Sequence, residues 1–348
     1  MAMTVQAVND AMRQNFVRRT SIGDAAATDA AVSSGLAFLR GELEKRDPQL
    51  LEPLTNVSYF KDIDVVPGGG FVDYTSNTFV DYATTGGNQG GNDFGIGGGQ
   101  TNTIPTVQAN ISKDVFRVMT WMNNMKVSFI DNEKYQNTGA TKTLDQMYND
   151  GVRLNWNKAL DQNAYQGFAN YSTYGLVNNP AVTAGSVAAG ATSGKTLWLQ
   201  KTPVEILTDF NNAITAAYMA SEYDESAIPD HALIDPQNYA YIQITPVTTA
   251  GTQSILEYLL QNNIAKNLGH GFTIRPSRWC LGAGAGGTQR MVIYGKNERF
   301  VNFDLTVALT RIMTAPDVTQ AAYITNFAGQ IGQVKFLYPT TARYVDGI

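Results

Sequence analysis

Two histidines, one cysteine and a few glycine-rich loops are the places where this chain of 348 residues could do chemistry. His231 and His270 stand far apart and in no HExxH or CxxC spacing, so a zinc site lacks its ligands. His231, inside the apolar run 231–234, reads as a core residue with a satisfied ring. His270, in Leu268-Gly269-His270-Gly271, reads as a cation at a helix C-terminus. Cys280 follows Trp279 at a strand end and reads as a small buried hydrophobe. The run Ala191-Thr192-Ser193-Gly194-Lys195-Thr196 has the outline of a phosphate-binding loop. That loop needs Gly at position 189, where Ala stands, and Gly190 is one residue too close. Its backbone must also turn from strand to helix to aim N–H groups at phosphate, and no convincing strand precedes it, so a flexible linker is the expected role. The runs Gly95–Gly99 and Gly282–Gly287 could cradle an anion, but no Lys or Arg lies near the first, and a loop tip fits it better. Asp224 and Glu225 could exchange protons, yet read as a solvated turn. No Gly-x-Ser-x-Gly elbow is present. The expectation is no enzyme, no cofactor and no metal.

The totals agree with a protein that associates. Hydrophobic residues make up 43% and charged residues only 16%, with a net charge of −5. A charge-poor surface suits extensive subunit contact, where charges cost desolvation. The negative balance disfavours sequence-blind nucleic-acid binding through a broad basic face. A single cysteine allows no intrachain disulfide. Met1 to Arg19 has no apolar signal core, and the longest aliphatic cluster, Ile255 to Leu260, falls far short of a membrane span.

The element that dominates the chain is an arm. From Asp62 to Ser112 there is no Lys or Arg, only five acids, and eleven glycines fall between Gly68 and Gly99. Within it the tetrad Phe71–Tyr74 recurs at Phe79–Tyr82. Val72, Tyr74, Thr78, Val80 and Tyr82 alternate at period two, which predicts a strand. A return segment, Ile104 to Val118, follows the glycine tip. A two-stranded ribbon buries too little to be stable alone in water, and a long structureless insert is functional or disordered. The aromatic alternation argues for order, so the arm is expected to have no home on its own molecule. Phe71, Val72, Tyr74, Phe79, Val80 and Tyr82 are its predicted inter-subunit residues.

Around the arm the pattern predicts an α+β fold. A helix is expected over Asp29–Arg46, preceded by the basic segment Met12–Arg19. A strand is expected from Phe116 to Phe129, then a long helix over about 141–168 that buries Leu144, Met147, Tyr148, Val152, Trp156 and Leu160. A loop should span Asn170 to Lys201. Thr202-Pro203-Val204-Glu205 is a capping box with Pro at the first helical position, opening a helix to about Ser221. Strand His231–Ile234, a helix capped by Asp235, a helix over Gln253–Leu268, and strands at Phe272–Trp279, Met291–Tyr294 and Phe300–Val307 follow. A terminal meander is expected at 322–326, 334–338 and 342–345.

This order of parts resembles the major capsid proteins of tailed phages that share the Hong Kong phage capsid fold, in a branch formerly described only as a family of unknown function. The marks are the glycine-tipped arm leading through Ile104-Pro105-Thr106-Val107, the long helix, and then Gly175-Leu176-Val177-Asn178-Asn179-Pro180. Val334-Lys335-Phe336-Leu337-Tyr338-Pro339 and Asp346-Gly347-Ile348 close the series. The resemblance covers about residues 57–348. It implies an N-arm at 1–56, an extended β-loop arm at 57–118 and an axial domain at 181–304. A peripheral domain would combine 119–180 and 305–348, with the spine helix at about 141–168. It further implies hexamers and pentamers of an icosahedral head in the virion, assembled in the bacterial cytoplasm and enclosing double-stranded DNA by confinement. Scaffold, portal and possible decoration proteins would be partners. No long charged coiled coil precedes the arm, so a separate scaffold is expected. Arg13, Arg18 and Arg19 are the expected DNA-facing cations. The alternative within the same fold is an encapsulin-type nanocompartment shell.

Overall fold

A computed structural model describes residues 53, 55–85, 106–136, 142–248 and 251–348. The chain divides into two units, and everything below belongs to the one formed by residues 55–135 and 144–348. The predicted Asp29–Arg46 helix, Arg13, Arg18, Arg19 and the Gly95–Gly99 tip lie outside the described residues.

Among the described residues, four sheets organise this unit. A five-stranded sheet runs in the order β5 (Ala184–Ser186), β13 (Arg343–Asp346), β8 (Arg290–Tyr294), β6 (His231–Ile234), β7 (Thr273–Pro276). Its central strands β8 and β6 are buried along their whole length. The period-two alternation sends Met291 and Ile293 into one core, with Trp198, Phe210 and Ile214, and Val292 and Tyr294 into another, with Trp156, Leu160 and Phe303. Apolar groups on both faces explain why these strands read as unbroken apolar runs. A second sheet pairs β1 (Asp64–Pro67), β9 (Val301–Leu305) and β12 (Val334–Phe336). A third pairs β10 (Val307–Asp317), β11 (Ala322–Ile331) and β4 (Met119–Ser128). The fourth is a ribbon of β2 (Tyr74–Thr85) and β3 (Thr106–Arg117).

The predicted terminal meander does not form. Its three segments pair in three different sheets: β11 with β10 and β4, β12 with β9, and β13 with β8 and β5. Apart from the β10–β11 hairpin, each partner lies far away in sequence, which a local pattern cannot reveal. The 116–129 strand is likewise two, broken at Val118, whose N–H donates to Asp73 O at 3.0 Å. Residues 59–67, assigned by resemblance to the arm, lie in the body: Tyr59–Asp62 is a short helix (α1), and β1 runs parallel to β9.

The long helix, α2, spans Leu144–Tyr165, shorter than predicted at both ends. Its buried residues begin at Val152 and include Trp156, Leu160, Ala164 and Tyr165; in its first turns Met147 and Tyr148 of the predicted apolar stripe are exposed. Its exit is fixed by Gly175-Leu176-Val177-Asn178-Asn179. Leu176 and Val177 N–H groups donate to Ala164 and Tyr165 carbonyls, at 2.9 and 3.0 Å. Asn178 accepts from Gly175 N and donates to Gln166 O, at 2.8 and 2.7 Å. A Cβ at Gly175 would lie 2.2 Å from the Tyr165 carbonyl carbon, so only glycine fits here.

Helix α3, Pro203–Ala220, opens with the predicted capping box, both of whose hydrogen bonds are present. Asp235 caps α4, Pro236–Ile244, by accepting from Gln237 and Asn238 N–H groups. The predicted 253–268 helix is interrupted: α5 (Ile255–Asn262) and α6 (Ile264–Asn267) meet at Asn263, held extended while its side chain caps α6 through Lys266 N. A buried amide that competes with the backbone for hydrogen bonds ends one helix and starts the next.

The candidate functional site: an amphipathic ribbon

The register of the ribbon decides what it presents. Val80 pairs with Ile111, Tyr82 with Ala109, Ser76 with Val115, and Thr84 with Val107. Directly paired residues of an antiparallel ladder point to the same side, so Tyr74, Val80, Tyr82, Val107, Ile111 and Val115 share one face. That face is uncovered: Tyr82 is 76% exposed, Ile111 69% and Val107 66%. The sequence pattern found the outgoing half of this face. It missed Val107, Ile111 and Val115, although Val107, Ala109 and Ile111 alternate with Gln108, Asn110 and Ser112; Lys113 on the same face breaks the alternation before Val115.

The opposite face leans on its own body at the root. Thr75 Oγ1 donates to Asp304 Oδ2 at 2.7 Å, and the Val72 N–H donates to Gln330 Oε1 at 2.9 Å. Phe79 packs edge-on against Tyr338, with centroids 6.4 Å apart, and the Lys335 ammonium lies 5.2 Å from the Phe116 ring centre. This corrects the expectation that the arm has no home on its own molecule. The root is seated, and Val72 and Phe79 turn inward. Phe71, Tyr74, Val80 and Tyr82 stay exposed. The physical reason is the pleat, which gives a ribbon two faces, one seated at its root on the body and the other free.

The chemistry-bearing residues resolve into structural contacts. Asp62 is buried, and Arg275 Nε lies 2.7 Å and His231 Nε2 3.3 Å from its Oδ1. Tyr165 donates its hydroxyl to Oδ2, and Tyr294 donates to the Asp62 carbonyl at 2.6 Å. Burial, with the Asp62 charge beside it, pushes the Tyr165 phenol well above its ordinary range. The network ties α1, α2, β6, β7 and β8 together, a role that the sequence, where Asp62 is one acid of the arm, gives no sign of. The 191–196 run is no flexible linker. Glu205 Oε1 accepts from Thr192 N and Ser193 N at 2.7 and 2.9 Å, while Oε2 accepts from Thr202 N at 2.9 Å. A carboxylate of the chain thus occupies the amides that a phosphate would need. The backbone donors of Ser193 and Thr202 hold the Glu205 carboxyl down at about 2. The Gly282–Gly287 loop is filled in the same way, with Ala285 N donating to Asp346 Oδ2 at 3.0 Å. Asp346 also takes a two-pronged contact from Arg290, at 2.6 and 2.9 Å. Cys280 is fully buried, and burial raises its thiol pKa far above the ordinary value. His270 N donates to Ala265 O behind α6, and Asp224 caps a short exposed turn through Ser226 N. Among the described residues no group of three or more His, Cys, Asp or Glu is placed to hold a metal, and no helix is long and apolar enough to cross a membrane.

A ribbon with one uncovered face, seated at its root on the body, is the arrangement to compare with known proteins. Residues 93–348 match the family model described as major capsid protein. The chain belongs to the major capsid protein family. Among solved structures, the capsid of Myoviridae phage XM1 is similar with a TM-score of 0.72 at 16% identity, covering 88% of this chain and 98% of that one. The Microbacterium phage Oxtober96 structure gives 0.57 at 12% identity, over 92% and 99%. The capsid of the native GTA particle gives 0.57 at 8% identity, over 94% and 99%. At such identities the likeness is one of fold, and it is the phage capsid fold. No curated protein matches the chain by sequence.

Proposed function

We propose that this chain is the repeating subunit of a closed icosahedral head of a tailed phage, built from hexamers and pentamers around double-stranded DNA. The observation that carries the proposal is the ribbon's apolar face, turned away from its own body. Exposed apolar side chains gathered on one face mark an interaction site, and another copy of the chain is the partner this reading gives it. The first turns of α2, with Met147 and Tyr148 exposed, offer a second apolar surface on every copy. In this reading the ribbon belongs to an extended arm, α2 is the spine of a peripheral domain with residues 305–348, and residues 181–304 form the axial domain. Each contact is modest, and repetition around a closed lattice supplies the stability.

The family match favours a phage head over an encapsulin-type compartment. A net charge of −5 is in keeping with DNA held by confinement, with Arg13, Arg18 and Arg19 as its candidate contacts. Scaffold, portal and decoration proteins, and assembly in the host cytoplasm, belong to the same reading. Negative-stain imaging and sedimentation of the expressed chain, alone and with a candidate scaffold protein, test it: closed shells are expected. Monomers alone under both conditions would overturn it.

A further inference from the structure

A small cavity opens at one edge of the five-stranded sheet, where β5 and β13 meet α3. Its volume is about 180 Å³, and Gly185, Ser186, Asp209, Asn212, Ala216 and Arg343 are among the residues that line it. The pleat brings Arg343 there. Val345, two positions along β13, packs into the core that holds Phe210 and Ile214 of α3, and residues two apart on a strand share a face. Ala216 and the bare Gly185 leave the space unfilled.

Two opposite charges line this cavity without pairing with each other. Asp209 is already matched: its Oδ2 accepts from Trp198 Nε1 at 3.1 Å and from the fully buried Lys201 Nζ at 2.6 Å. Arg343 is half-buried, and among the described residues it makes no ion pair and no hydrogen bond. Such a guanidinium has given up water without gaining a counter-charge. The cavity therefore carries one uncompensated positive charge. A guanidinium fork meets a carboxylate with two parallel bonds. Asp209 in the same lining repels a second negative charge, which favours a monoanion over phosphate or sulfate. Ser186 and Asn212 are exposed and supply neutral donors.

We propose that this cavity is a carboxylate site anchored by Arg343. Two sources share that chemistry, a free small carboxylate and an Asp or Glu side chain on a second copy of the chain. The second source rests on the shell reading above; the site itself is a property of a single subunit.

The site is read in the full chain, held below its assembly concentration, from the arginine Nε–H resonances during titration with sodium acetate at constant ionic strength. One saturable shift is expected in the parent. Arg343→Met keeps the stem and removes the fork, and acetate affinity should fall at least about tenfold, since a hydrogen bond to a charged group is worth that much. Ala216→Leu fills the cavity without touching a charge and should weaken binding as far; it decides the matter if Arg343→Met does not fold. Sulfate should bind more weakly than acetate. No saturable shift in the parent, or unchanged acetate affinity in either folded variant, overturns the site. Sulfate binding as tightly as acetate overturns the carboxylate assignment. The source is read from the concentration at which shells first appear. Acetate raising that threshold in the parent but not in Arg343→Met assigns the site to a second copy. A parent threshold that saturating acetate leaves unmoved assigns it to a free carboxylate, and a threshold raised alike in both chains overturns the second-copy source. A parent chain that forms no shell overturns the shell reading, while the acetate titration still decides the site.

Discussion

Replacing Ile111 by Asp tests the ribbon's apolar face most directly. Fully burying a Val or Ile side chain is worth about 1.5–3 kcal/mol. Val80 is 47% exposed and Ile111 69%, with Val107 and Tyr82 near or above the latter. The portion still to be buried is then worth roughly 1–2 kcal/mol per side chain, or roughly 4–8 kcal/mol for these four. Ile111→Asp forfeits about 2 kcal/mol of this and adds the cost of desolvating a carboxylate. A loss of about 2 kcal/mol weakens each ribbon contact about thirtyfold, so the protein concentration at which shells first appear should rise at least that much. Light scattering across a concentration series, checked by sedimentation, reads the threshold. Gln108→Glu is the matched control: it adds the same charge to the same strand, but Gln108 pairs with Ala83 on the other face. Assembly of Ile111→Asp at the parent threshold would refute the reasoning, as would an equal defect in Gln108→Glu.

Three further outcomes follow from the body of the subunit. Gly175→Ala should cost at least about 3 kcal/mol in denaturant unfolding, because room for its Cβ disturbs the four hydrogen bonds at the exit of α2, each worth about 1 kcal/mol; a loss under about 1 kcal/mol would show that the segment yields freely. Glu205 has its carboxyl lowered from 4.5 to about 2 in the folded chain, so its contribution is whole above pH 4.5 and fades as pH falls toward 2. Acid unfolding followed in parent and Glu205→Gln should show that the variant lacks this part of the acid dependence; superimposable slopes across that window would contradict the assigned contacts. Cys280, buried and with its thiol pKa raised, should react with an aromatic disulfide reagent only on unfolding, and rapid labelling of the native subunit would place it elsewhere.

Several features were legible in the residues themselves because their causes are local. The capping box at Thr202–Glu205, the Asp235 cap, the apolar runs of β6 and β8 and the alternation of Tyr74, Val80 and Tyr82 each follow from neighbours a few positions apart. The resemblance, resting on the order of short marks, located the family. Interruptions at Val118 and Asn263 were not legible, since each is a backbone or side-chain hydrogen bond that outweighs an otherwise continuous propensity.

What the chain alone determined, then, was many of its elements and the presence of an unusual arm. Only the folded structure decided which face of that arm is free. Register brought Val107, Ile111 and Val115 beside Val80 and Tyr82, and contacts across more than two hundred positions, from Val72 to Gln330 and Thr75 to Asp304, seated the other face. The same is true of the two loops that look built for anions. Glu205 and Asp346 fill them, and which carboxylate meets which amide is a matter of tertiary geometry, on which a linear pattern is silent.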